Sequence, residues 1–162
     1  MTQERNNKEL INELKGSLLG SHARITLEKA LKGLKPTSRG KVPEGMPYSI
    51  WQLVEHIRIA QWDMLSFSYD PSHQSPEWPD GYWIKDTAPA SEKAWTDSLH
   101  QIKQDSEAFV RLLERPGADL FVAFAHGQGQ SLLREALQII DHNSYHTGEI
   151  VALRRIMGDW KL

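Results

Sequence analysis

Leu10, Leu14, Leu18 and Ile25 recur at helical spacing, and the pattern predicts a first helix from about Asn7 to Leu34, stopped before Pro36. From Lys35 to Tyr48 the chain carries Pro36, Gly40, Pro43, Gly45 and Pro47, too many breakers for a regular element, so a loop is expected. Ser49, with Gln52 three residues later, has the form of a capping box; it opens a second helix from about Ile50 to Ser68. Between Tyr69 and Ala90 lie four prolines together with Trp78, Gly81, Tyr82 and Trp83, a long aromatic loop expected to pack onto the helices.

Ser91 caps a third helix in which Trp95, Leu99, Ile102, Phe109 and Leu113 keep the period until Arg115-Pro116-Gly117. Phe121 to Ala125 reads as a short strand or an apolar plug. Ser131 opens a last helix from about Leu132 to Met157, and Gly158 is its natural stop. Four long helices and two roomy crossings predict an all-α chain, a four-helix bundle with long crossover loops formed as one domain over 1–162.

Composition narrows the function. Nineteen basic residues against 21 acidic give a net charge of −2 and no basic stripe, which argues against a nucleic-acid partner. No apolar stretch approaches 18 residues, and the N-terminus lacks the apolar core of a secretion signal, so a cytoplasmic protein that does not span a membrane is expected. The absence of cysteine excludes disulfides and a cysteine nucleophile; a metal ion here would be held by His, Asp or Glu.

Seven histidines in 162 residues yield about 0.3 His-x-x-x-His pairs by chance, so His142/His146 says little by spacing alone. Its position on the helix says more. At roughly 100° per residue, His142 and His146 border the arc that holds Ile139, Ala136, Ile150 and Val151, opposite Arg134, Asp141 and Arg155. His56 borders the arc of Leu53, Val54 and Ile57 in the same way. Two imidazoles one turn apart, joined by a third from another helix, can form a three-nitrogen metal site with a position left open. The competing reading is that each histidine completes the core by bonding a carbonyl.

Glu149 and Glu135 lie near the last-helix histidines on the wheel, and Asp63 lies near His56. They are candidates for a fourth ligand, a general base, or acceptors of the histidines' outer N–H, against plain salt bridges on helix faces. His126, in Ala125-His126-Gly127-Gln128-Gly129-Gln130, and Trp83 are the candidate cofactor contacts, although a flexible helix start and a core seal are their ordinary roles.

The segments Tyr48-Ser49-Ile50-Trp51-Gln52-Leu53-Val54-Glu55-His56-Ile57 and Asp141-His142-Asn143-Ser144-Tyr145-His146-Thr147-Gly148-Glu149 resemble the DinB-like, YfiT-type family of metal-dependent four-helix bundles. The resemblance extends over nearly the whole chain, including the tryptophan-rich middle loop. It implies that His56, His142 and His146 hold one divalent ion, nickel, zinc or iron, and that the chain forms a homodimer. It further implies transfer of a low-molecular-weight thiol to a small-molecule substrate. The open position serves a metal-dependent hydrolase equally well, and a non-catalytic helical binding protein with structural histidines is the remaining alternative.

Overall fold

The computed structural model describes residues 2–22 and 25–160. Among them the chain forms five α-helices and no strand: α1 (Thr2–Leu18), α2 (Leu27–Leu31), α3 (Ile50–Tyr69), α4 (Glu92–Leu113) and α5 (Leu132–Ile156). None is long and apolar enough to cross a membrane.

The starts of the three longest helices follow from their caps. Ser49 Oγ accepts from the Gln52 N–H at 3.1 Å while Gln52 Oε1 accepts from the Ser49 N–H, also at 3.1 Å, so α3 opens on a complete capping box. Gln52 Nε2 donates to the Ile84 carbonyl at 3.0 Å, which makes the residue that starts α3 a fastening point for the aromatic loop as well. Ser91 accepts from Ala94 N–H at 3.1 Å to open α4, and Ser131 opens α5. Gly158, at φ +68°, follows the end of α5 in the left-handed region where glycine is unstrained.

Two expectations need correcting. The helix expected over 7–34 is two helices, and residues 23 and 24 within it lie outside the described residues. Gly20 takes φ +77° after α1, and Thr26 Oγ1 accepts from the Lys29 N–H at 3.1 Å to start α2 afresh. The segment 121–125 is no strand, and of its apolar side chains Phe124 alone packs against the core. Its only pairing is an isolated bridge between Ala123 and Ser131, and Phe121 and Val122 are exposed, while the neighbouring Leu120 is buried.

α3 packs against both α4 and α5, while α1 packs on α5 and α4, and α2 on α5. Their apolar faces close into two layers. One gathers Leu31, Ile50, Leu53, Ile57, Trp95 and Ile150; the other gathers Leu14, Leu65, Phe109, Leu113, Leu132 and Ile139. Between them the same helices carry polar residues inward: Gln61 on α3, Asp105 and Ser106 on α4, Asn143 and Thr147 on α5. Arg154 is buried near the end of α5, where its guanidinium donates to the carbonyls of Ala30 (2.6 Å), Lys32 (2.9 Å) and Asp159 (2.7 Å), stapling α2 to α5.

Candidate metal centre

His56 on α3 faces His142 and His146 on α5, one helical turn apart. His56 and His146 are buried and His142 is half-buried. The ring centroids lie 4.8 Å (His56–His142), 4.6 Å (His56–His146) and 4.5 Å (His142–His146) apart. Each ring offers a nitrogen within 4.8 Å of those of the other two, and among the described residues no other group of His, Asp and Glu meets this condition. The shortest approach is His56 Nε2 to His142 Nε2, at 3.0 Å.

Hydrogen-bond polarity assigns the protons. His56 Nδ1 lies 3.0 Å from the Tyr82 carbonyl, which only accepts, so Nδ1 carries the hydrogen. His146 Nδ1 donates to Glu149 Oε2 at 2.6 Å. For His142 the assignment runs through three residues. The Ile102 carbonyl can only accept, so Gln61 turns its Nε2 to it at 2.6 Å and presents Oε1 to Asn143. Asn143 Nδ2 donates to that oxygen at 2.6 Å, leaving Asn143 Oδ1 to face His142 Nδ1 at 3.4 Å. His56 and His146 thus hold their proton on Nδ1 and are left with an unprotonated Nε2, while the proton of His142 is shared between its 3.4 Å contact to Asn143 and its 3.0 Å contact to His56 Nε2. His142 Nε2 lies 3.0 Å from His56 Nε2, a spacing that a proton donated from His142 bridges in the metal-free chain and that a shared cation can bridge in its place.

The electrostatics keep the rings neutral. Burial pushes all three imidazoles below the ordinary histidine range, and the neighbouring imidazoles add to the shift. His146 falls furthest, to about 4. Neutral imidazole is the form that binds metal, so at pH 7 the trio presents ligands and not charges. Glu149 is pushed up by burial against the pull of His56, Tyr145 and His142.

Aromatic rings brace one side. Trp83 lies flat on His56, with centroids 3.8 Å apart and planes 7° from parallel, and Tyr48 stacks on the far face of Trp83 at 3.8 Å. The aromatic loop therefore reaches the histidines themselves. Tyr145, largely exposed, stands edge-on to His146 at 4.9 Å.

Of the three carboxylates proposed from the wheel, Glu149 alone hydrogen-bonds a member of the trio. Asp63 and Glu135 each lie seven residues from the nearest of the histidines on their own helix, about 10 Å along its axis. Asp63 instead accepts from His73 Nε2 at 2.7 Å and from the Tyr82 hydroxyl at 2.6 Å. Glu135 is buried, and burial and then Asp63 raise its carboxyl, Arg134 opposing them. His126 is placed elsewhere: it pairs with the Phe67 carbonyl at 2.8 Å near the far end of α3, eleven residues or about 16 Å along the helix from His56.

Wheel geometry alone points to histidines and carboxylates and passes over Gln61, Asn143 and the Tyr82 carbonyl. Gln61 and Asn143 carry a readable signal, since each is a polar residue in the arc of its helix otherwise filled by apolar ones. A backbone carbonyl supplied by a loop leaves no such mark.

A cavity of about 920 Å³ is lined by Leu31, Leu99, Ile102, Ile139, Asn143 and Thr147 among others and by none of the three histidines. Compared with protein-family models, curated proteins and solved structures, the chain matches none of them.

Proposed function

We propose that this protein binds one divalent metal ion through His56, His142 and His146 and uses it to transfer a low-molecular-weight thiol to a small electrophile. The observation that carries the metal reading is the convergence of three imidazole nitrogens within 4.8 Å of one another, with the His56 and His142 Nε2 atoms 3.0 Å apart. Three protein ligands, with no carboxylate among the described residues grouped with them as a fourth, is the donor set of a site that leaves room for an exogenous ligand. The four long helices α1, α3, α4 and α5 support the four-helix-bundle reading, and with it the resemblance to DinB-like proteins.

When bound, the ion supplies a Lewis acid that favours thiolate over thiol at neutral pH. The chain's own residues prepare for it. Glu149 and the Tyr82 carbonyl hold the outer N–H of His146 and His56, and Asn143 Oδ1 stands ready to take that of His142 once an ion claims its Nε2. Trp83 covers one face of His56 and excludes water there. The chain has no cysteine, so the transferred sulfur comes from a free thiol.

The test is turnover. Metal-loaded protein given a small thiol and an alkyl halide is expected to consume both in equal amounts, forming the thioether as the carbon–halogen bond breaks and halide and the thiol proton are released, and His142→Ala to abolish this. No turnover with a panel of thiols, alongside hydrolysis of esters or amides, would replace the transferase reading with a hydrolase.

A further inference from the structure

We propose that Asp63 and Tyr82 are positioning residues of the centre: Asp63 anchors the loop after α3, and the anchored loop presents the carbonyl that holds His56 with Nε2 free. The proposal rests on the metal-site reading, though its first readout does not need a metal.

His56 is a helix residue, but the acceptor that sets its tautomer is not. Tyr82 lies 26 residues later, at the end of a single 3-10 turn, Asp80–Tyr82, in a segment with no other regular structure. A carbonyl in such a segment is only as well placed as its attachments. Asp63 grips the segment twice, at His73 with Oδ1 (2.7 Å) and at the Tyr82 hydroxyl with Oδ2 (2.6 Å). The carboxylate is buried and both its oxygens are engaged. Burial, with Asp63 beside it, pushes the Tyr82 phenol above its usual range, so it stays a donor.

The spacing along α3 gives the arrangement its logic. Seven residues, two turns, separate His56 from Asp63, so both lie on one face of the helix about 10 Å apart. Tyr82 lies alongside and bridges them, its carbonyl on His56 and its hydroxyl on Asp63. Trp83, the next residue, then falls on the face of the His56 ring. One residue on α3 supplies the ligand, and another on the same face fixes the backbone that orients it. A neutral histidine can place its proton on either nitrogen, and the Nε2–H form would aim a hydrogen at the centre.

Tyr82→Phe separates the two functions of Tyr82, since it deletes the hydroxyl and keeps the carbonyl. Long-range proton–nitrogen NMR of metal-free protein at neutral pH reads the tautomer of each ring. The wild type is expected to show His56 as Nδ1–H, and Tyr82→Phe to show a mixture of both forms at His56 with His146 unchanged. Zn²⁺ affinity by chelator competition should fall about 10- to 100-fold while helicity by circular dichroism is retained. Asp63→Asn, nearly the same shape, should give the same signature and serves if Tyr82→Phe does not fold. His56 remaining fully Nδ1–H in both variants would overturn the proposal, whatever the metal does. A wild type that takes up no Zn²⁺ but shows the tautomer change would support the positioning role and overturn the metal reading alone.

Discussion

Oε2 of Glu149 lies 2.6 Å from Nδ1 of His146, one turn along α5, so a carboxylate backs the more buried of the two α5 histidines. A carboxylate behind a ligating imidazole orients the ring and raises the basicity of its inner nitrogen. Glu149→Ala is therefore expected to weaken Zn²⁺ binding about 10- to 100-fold, and Glu149→Gln, which keeps an acceptor without the charge, by less. Chelator competition measures both. Equal affinity in wild type and Glu149→Ala would show that the contact is incidental.

Gln61, fully buried, joins three helices by accepting from Asn143 and donating to Ile102, and it also accepts from Ser106 at 3.4 Å. Gln61→Leu leaves the Asn143 amide without its acceptor, which costs about 1–3 kcal/mol for such a group, while the Ile102 carbonyl keeps its bond within α4. Urea unfolding should show that loss, and adding Asn143→Leu should recover part of it, since two apolar partners leave fewer polar groups stranded.

Asp105 gives a pH dependence remote from the histidines. Its carboxyl is buried, with Oδ2 lacking a partner, and burial raises its pKa against the hydrogen bond from Gln101 and the charge of Arg58. A carboxyl with its folded pKa above its unfolded one binds its proton more tightly when folded. Its contribution therefore favours folding at low pH and is lost as pH rises through the folded value. Asp105→Asn removes that loss. The variant should be more stable than wild type at pH 7–8, the gain vanishing as pH falls below about 4. Thermal melts across pH read the difference, and a variant less stable at every pH would contradict it.

Arg154→Met should be the most destabilising of these changes. It keeps the bulk of the side chain and removes the bonds to Ala30, Lys32 and Asp159, stranding carbonyls between α2 and α5, for a loss of about 3 kcal/mol. A melting temperature within a degree or two of wild type would show that these carbonyls find other partners.

Much of the fold is legible in the sequence, for identifiable reasons. Ser49 with Gln52, Ser91, Ser131 and Gly158 mark helix ends by local hydrogen-bond chemistry, which the three-dimensional structure does not override. The break between α1 and α2 is harder to see, because Leu18, Ile25 and Leu31 continue a plausible apolar rhythm across Gly20 and Thr26. The histidine trio is legible through helical geometry, as each member borders an apolar arc. What holds the trio is less so. Glu149 is one turn from its partner on the same helix and can be read from spacing, whereas the contact of Tyr82 with His56 depends on how the 22-residue aromatic loop 70–91 is laid down. Asp63, near His56 on the wheel, turns out to act on that loop and not on the ring.

The central claim is that three neutral imidazoles converge their ring nitrogens on one point. Metal content of the purified full chain, with Zn²⁺ titration under chelator competition, tests it most directly when wild type stands beside His56→Ala, His142→Ala and His146→Ala. One ion per chain in the wild type, with binding lost or weakened by orders of magnitude in each variant at unchanged helicity, is the predicted result. A wild type that cannot be loaded, or variants that load as well as it does, would contradict the account.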